Sequence, residues 1–269
     1  MAATDKNPAN VQTLGYARHG KLRVKQDPGF AHAKDSNIVA IVLPELGDCA
    51  SNFPLAFLRN PDDQRYTLVA LLGLGKGDNV YYGEQFWSST HVPLSVQRYP
   101  FLIGFDDNAA EDNAPLVPCI MTDSALLSEK EGLALYNEEG KDSEFLQNRM
   151  RLLRTLWDGE QQTRQFINRL TELDLFVPLD IELLQQKGEA RKVGGLFTIE
   201  EARLKALDAE TLKSLMDSNF LAPCHMILTS LYQLRSMIRQ RNRKGREQLV
   251  NFRILFRNDA DQPAEAGAA

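Results

Sequence analysis

The chain is poor in cysteine and histidine and has no long apolar run, and each scarcity excludes something. Cys49, Cys119 and Cys224 are the only three cysteines in 269 residues. They stand far apart with no C-x-x-C pair, so no disulfide framework is indicated. Such a count fits small buried hydrophobes in a reducing compartment. The four histidines, His19, His32, His91 and His225, form no H-x-H or H-E-x-x-H pair. No cysteine lies at ligand spacing either, so the sequence carries no metal motif. A site assembled only by folding stays open at this point. No stretch approaches the roughly 18 apolar residues that span a bilayer. Residues 1–10 lack a basic segment followed by an apolar one, so no secretory leader is indicated. A cytoplasmic location is the expectation. No G-x-S-x-G elbow and no S-x-x-K pair supports nucleophilic hydrolysis, and no cofactor motif is present.

What remains is an ordinary globular composition, 43 % hydrophobic and 25 % charged, in a chain long enough for a real core. The net charge of −5 argues against nucleic acid or an anionic membrane as partner. Residues 1–13 are polar and expected to be loose. From Leu14 to Tyr136 the pattern is strand-like. Lys21–Lys25 alternates, Ile38–Leu43 is a β-branched run, and Leu55–Leu58 and Tyr66–Leu72 flank the turn Asn60-Pro61-Asp62-Asp63. Val80–Tyr82, Phe101–Phe105 and Leu116–Met121 read as further strands, the last two flanking an acidic loop from Asp106 to Ala114.

After Gly140 the period becomes helical. Leu146, Met150, Leu153 and Trp157 fall on one helix face, and Phe166, Ile167, Leu170 and Leu173 continue it towards Pro178. A strand is expected around 190–197. Thr198-Ile199-Glu200-Glu201 has the form of a capping box, and Asp208 opens a short helix. A longer helix from Pro223 carries Ile227, Leu231, Leu234 and Ile238 on one face. Val250, Phe252, Ile254 and Phe256 share one face of a possible strand at 249–256, expected to dock within the chain or across a homodimer. Residues 259–269 have the composition of a disordered tail.

The fold class is therefore α+β: a mainly antiparallel sheet from the N-terminal half packed against helices of the C-terminal half. One domain over 14–258 is expected, β-rich over 14–137 and mainly helical over 142–245.

Few residues carry recognisable chemistry. Gly73-x-Gly75-x-Gly77 is not followed by Ser or Thr, or by a helical pattern, so it reads as a turn and not as a phosphate loop. Asp106-Asp107-Asn108 and Glu111-Asp112-Asn113 lack calcium-loop spacing. Between Arg235 and Arg257 lie eight basic residues and one acid, Glu247. Arg235, Arg239 and Arg243 fall at i, i+4, i+8, a candidate basic interaction face. No aromatic platform is interleaved there for single-stranded nucleic acid. Aromatic and Pro-rich segments between Leu71 and Phe101 suit a pocket or interface, with Glu45, Trp87, His91, Arg98 and Tyr99 as its candidate residues.

Taken together, the chain resembles the bacterial SapC family. The resemblance is carried by His19-Gly20, Phe30-Ala31, Glu45, Phe53-Pro54-Leu55-Ala56-Phe57, Leu71-Leu72-Gly73-Leu74, Asn79-Val80-Tyr81, Trp87, Val92-Pro93 and Arg98-Tyr99-Pro100-Phe101. In the second half it rests on Phe176-Val177-Pro178-Leu179, Gly195-Leu196-Phe197-Thr198-Ile199-Glu200-Glu201, Leu204 and Ser230-x-x-Gln233-Leu234. The order and spacing of these segments over residues 14–240 carry it; none is specific alone. Leu94 and Gln97 depart from the pattern, Gln97 standing where a second arginine would precede Arg98. The segment after Arg246 looks like an addition. The resemblance implies a surface-layer-associated role, alongside flavin-dependent halogenase-like enzymes and outer-membrane uptake receptors, and supplies no catalytic residues. It points to an accessory or binding protein whose partner is another protein, a small ligand or, in a homo-oligomer, a second copy of the chain. The alternative is an enzyme, or enzyme subunit, modifying a peptide or aromatic metabolite.

Overall fold

The computed structural model describes residues 8–106, 115–185, 190–245 and 248–256. In chain order its strands are β1 (Val11–Thr13), β2 (Arg23–Val24), β3 (Ile38–Ala40), β4 (Leu55–Arg59), β5 (Tyr66–Leu71), β6 (Phe101–Phe105), β7 (Leu116–Met121), β8 (Leu127–Ser128), β9 (Leu133–Ala134), β10 (Phe176–Gln185), β11 (Arg191–Ile199) and β12 (Leu249–Phe256). Its helices are α1 (Tyr16–His19), α2 (Leu46–Asn52), α3 (Leu94–Gln97), α4 (Glu144–Glu172), α5 (Glu201–Ala206), α6 (Ala209–Asp217), α7 (Leu221–Ser230) and α8 (Leu234–Arg243). Short 3-10 turns occupy Ala31–Ala33, Leu43–Glu45 and Leu231–Gln233. The class is α+β, as expected, and the strand pairings between these elements are antiparallel.

The largest sheet has the order β12-β10-β11-β4-β5-β3. Its two central strands are β11 and β4, and β4 forms a hairpin with β5, closed by a turn in which Asn60 Oδ1 accepts from Asp62 N–H at 2.9 Å. Leu55, Ala56 and Phe57 are successive and fully buried. Successive strand side chains point to opposite faces, so both faces of the sheet centre are covered. Helix α7 packs against β4 and β11, and α4 against β5. Two smaller sheets, β1-β7-β6 and β8-β2-β9, belong to a second apolar cluster around Val24, Phe101, Ile120 and Leu135.

Helix α4 joins the two clusters. Ser143 caps it, its hydroxyl accepting from Leu146 N–H at 3.2 Å. Leu146 and Leu153 bury into the smaller cluster, and Phe166, Ile167 and Leu170 into the main one. Trp157 lies on the same stripe but between the clusters, where it is 38 % exposed beside a cleft. The helix ends at Glu172, short of the expected Pro178. Asp174 turns the chain at φ 50, Leu175 N–H bonds back to Leu170 O at 3.0 Å, and β10 begins at Phe176. Residues 179–183 alternate Leu, Asp, Ile, Glu and Leu, the period of a strand and not of a helix. The C-terminal half thus supplies β10, β11 and β12 to the main sheet as well as most of the helices.

Other expectations are corrected locally. Val11–Thr13, assigned to a loose N-terminus, pair with Met121–Cys119 of β7. Val80–Tyr82 is a buried bend and not a strand. Asn79 Oδ1 captures the N–H groups of Tyr81 and Tyr82, at 2.9 and 3.1 Å, while its amide donates to Ala33 O at 2.8 Å. The capping box does not form, because β11 runs through Thr198 and Ile199 and α5 starts only at Glu201. Asp208 does cap α6, accepting from Thr211 N–H at 2.7 Å. The Gly73–Gly77 segment is a tight turn, with Gly77 at φ 72. Ile227, Leu231, Leu234 and Ile238 are all buried, as their spacing implies, although a 3-10 turn interrupts the helix between α7 and α8.

Strand β12 docks within the chain, as the edge strand beside β10. Of its expected buried face only Phe252 and Ile254 pack on the core; Val250 and Phe256 are 61 % and 55 % exposed. A register shift opposite Leu184 and Gln185 breaks the alternation and turns Leu249 inward instead. The acidic loop beyond Asp106 and the tail at 259–269 lie outside the described residues.

Candidate functional site

Glu45 ends the 3-10 turn that feeds α2, and that turn is seated on α4. A Cβ on Gly159 would lie 2.9 Å from Pro44 Cδ and 3.0 Å from Val42 Cβ, so only glycine permits this approach without displacement. Thr163 Oγ1 accepts from Leu43 N–H at 2.9 Å and donates to Gly159 O at 2.7 Å. The Glu45 carboxylate is thereby held inside the protein, 3 % exposed.

Four donors converge on it. Oε1 accepts from Val42 N–H at 3.3 Å. Oε2 accepts from Leu94 N–H at 2.8 Å, from His91 Nε2 at 3.0 Å and from the Cys49 thiol at 3.6 Å. A buried carboxylate persists only with such partners. Burial, and then the charge of Glu45, push the Cys49 thiol far above its ordinary pKa, so it stays protonated as a donor.

The segment carrying His91 is strapped to α2. Asn52 Oδ1 accepts from Ser89 Oγ at 2.7 Å, Thr90 Oγ1 at 2.7 Å and Thr90 N–H at 3.3 Å. Trp87 Nε1 donates to His91 O at 3.1 Å. The Trp87 indole is itself buried, edge-on to Phe30 at 5.9 Å and stacked with Tyr81 at 6.1 Å. Glu45, Trp87 and His91 are therefore brought together, and His91 is the most open of the three at 15 % exposure.

Arg98 and Tyr99 stand apart from this knot, beyond α3. Tyr99 stacks on His32, ring centroids 4.1 Å apart and 13° from parallel. The His32 Nε2 lies 3.1 Å from Val96 O, and burial lowers its pKa. Arg98 lines a cleft of about 960 Å³ whose walls include Arg65, Tyr66, Ile103, Trp157 and Arg164. Arg65 faces Asp63 at 3.7 Å and Arg164 pairs with Glu160 at 3.0 Å. Arg98 Nη1 donates to Phe101 O at 3.3 Å, and among the described residues no acid pairs with it. Burial lowers its pKa from the ordinary guanidinium value.

Cys49 was legible only as a small buried hydrophobe. Its place four residues after Glu45, on one face of a helical turn, was the available signal. Arg65, Trp157 and Arg164 had none, because the cleft is assembled from the β4–β5 turn and α4. Arg235, Arg239 and Arg243 are exposed along α8. The neighbouring Arg241 is withdrawn from that face into a buried pair with Asp78 at 3.2 Å.

The SapC family model matches residues 14–237, which include every residue of the knot and all of α4. The chain belongs to the SapC family. No curated protein and no solved structure matches it. The SapC match ends inside α8, so β12 lies beyond it. No helix among the described residues is long and apolar enough to cross a membrane.

Proposed function

We propose that this SapC protein is an accessory binding protein whose cleft between α4 and the β4–β5 turn takes a small ligand with an anionic group and an apolar or aromatic body. One observation carries the reading: Arg98, half-buried in the cleft wall, has no acidic partner among the described residues. A cation withdrawn from water is costly without a counter-charge, and a ligand anion supplies one. Trp157 and Tyr66 offer aromatic surface in the same walls. The family resemblance supports a supporting role in surface-layer or uptake functions, with the Arg235, Arg239 and Arg243 face available to an acidic partner.

The enzymatic reading asks for Glu45, Trp87, His91 and Arg98 on one cleft. The first three lie in the buried knot and only Arg98 lines the cavity, which favours the binding protein.

Anilinonaphthalene sulfonate, an aromatic anion, is a suitable probe. Saturable binding that quenches tryptophan fluorescence and weakens at least about tenfold in Arg98→Gln is the expected result, one decade being about 1.4 kcal/mol. Equal binding by wild type and a folded Arg98→Gln, or no saturable binding by wild type, would overturn the reading.

A further inference from the structure

We propose that Cys49, Glu45 and His91 form a binding site for a single divalent zinc ion. The inference is independent of the cleft and of the ligand-binding reading. It also departs from the sequence, whose spacings hold no metal motif.

Three donors of different chemistry meet at one point: a thiol, a carboxylate and an imidazole. Their ligand atoms all lie within 4.8 Å of one another, with Nε2 to Oε2 at 3.0 Å and Sγ to Oε2 at 3.6 Å. With tetrahedral bonds of about 2.0–2.3 Å, neighbouring ligand atoms around zinc stand about 3.3–3.6 Å apart. Adjustments of a few tenths of an ångström at Oε2, and closer approach of Sγ to Nε2, convert the knot into a coordination sphere. A mixed sulfur, nitrogen and oxygen set suits zinc better than the hard, oxygen-seeking cations.

Two further observations point to a ligand at this place. First, Oε2 alone accepts from three donors, while Oε1 has one contact at 3.3 Å. A cation would replace two of those donors, taking over the positions of the Cys49 and His91 protons, and would neutralise the buried carboxylate. Second, the ligands are held from outside. Thr163 and Gly159 seat the Glu45 turn on α4, and Asn52 and Trp87 bind the His91 segment through groups other than its imidazole. Outer partners of this kind orient metal ligands in advance.

The protons balance simply. Zinc binding releases the Cys49 thiol proton to solvent, while the proton on His91 Nε2 is relocated to Nδ1 so that the imidazole coordinates as the neutral ring, with no change of oxidation state. Three protein ligands leave one tetrahedral position, and His91, the most exposed member, marks the side on which water would fill it.

The test uses the full chain, stripped with chelator and then given zinc or cobalt alone. The expected result is one equivalent of zinc retained through gel filtration, measured by elemental analysis. Cobalt should give a thiolate charge-transfer band and visible bands of tetrahedral intensity. Cys49→Ser should abolish the charge-transfer band, and His91→Asn should lower zinc retention at least tenfold while leaving the Asn52 and Trp87 contacts in place. Circular dichroism identifies folded variants. If either variant fails to fold, the other and the wild-type cobalt spectrum decide, since Cys119 and Cys224 are not grouped with other ligands among the described residues. Wild type that retains no zinc, or that lacks the charge-transfer band, leaves only a hydrogen-bonded knot and overturns the proposal. Retention undiminished in both folded variants overturns it equally.

Discussion

Thr163→Val tests the joint that holds the Glu45 turn on α4. Valine keeps the shape of threonine and removes only the hydroxyl. That hydroxyl is the acceptor for Leu43 N–H at 2.9 Å, in a residue that is buried. The lost donation to Gly159 O matters less, because that carbonyl sits inside a helix and keeps its backbone partner. The cost is therefore that of a buried N–H left without an acceptor, about 1–3 kcal/mol. With an unfolding entropy of about 2.1 cal/mol/K per residue, 269 residues give roughly 0.6 kcal/mol per degree, so the melting temperature should fall by about 2–5 °C. Differential scanning calorimetry of wild type, Thr163→Val and Thr163→Ser makes the measurement, the serine variant keeping the acceptor. A valine variant that melts within a degree of wild type, or a serine variant that falls further than the valine one, would refute the reasoning.

Gly73→Ala should destabilise by at least about 3 kcal/mol in urea unfolding, because its Cβ would stand 1.4 Å from the Asp78 carbonyl oxygen; a loss under 1 kcal/mol would show that the turn moves freely. A chain ending at Lys244 loses β12 with buried Leu249 and the packed Phe252 and Ile254, each worth up to about 1.5–3 kcal/mol before chain entropy. Its melting temperature should drop, and an unchanged value with unchanged solution mass would make β12 dispensable. His19 and His32 have folded-state pKa values lowered from 6.5, chiefly by burial, so below that pH the unfolded chain binds more protons than the folded one. Stability should therefore fall as pH drops below about 6.5, and the double variant His19→Asn, His32→Gln should show a shallower fall in urea midpoints. An equal pH slope in the two proteins would count against it.

What the sequence by itself determined is the local pattern. The apolar spacing of α4 and of the α7–α8 run, the Asp208 cap and the Asn60 turn depend on residues a few positions apart, and their chemistry acts over that distance. The α+β class follows from the change of period near Gly140; of the five candidate pocket residues, Glu45, Trp87 and His91 lie together in the fold and Arg98 and Tyr99 stand apart. Tertiary structure decided the rest. Residues 179–183 alternate as a strand does, but the place of β10 between β11 and β12 turned on the partners those strands supply. Val80–Tyr82 lost its strand to Asn79, whose amide reaches back to Ala33 across a long separation in sequence. Trp157 and Arg98 acquired a common cleft only because α4 bridges two cores. The third member of the Glu45 and His91 knot, Cys49, gained its meaning when α2 and the 84–93 segment were packed together. Such contacts join residues far apart in the chain, and spacing along a sequence carries no information about them until the fold exists.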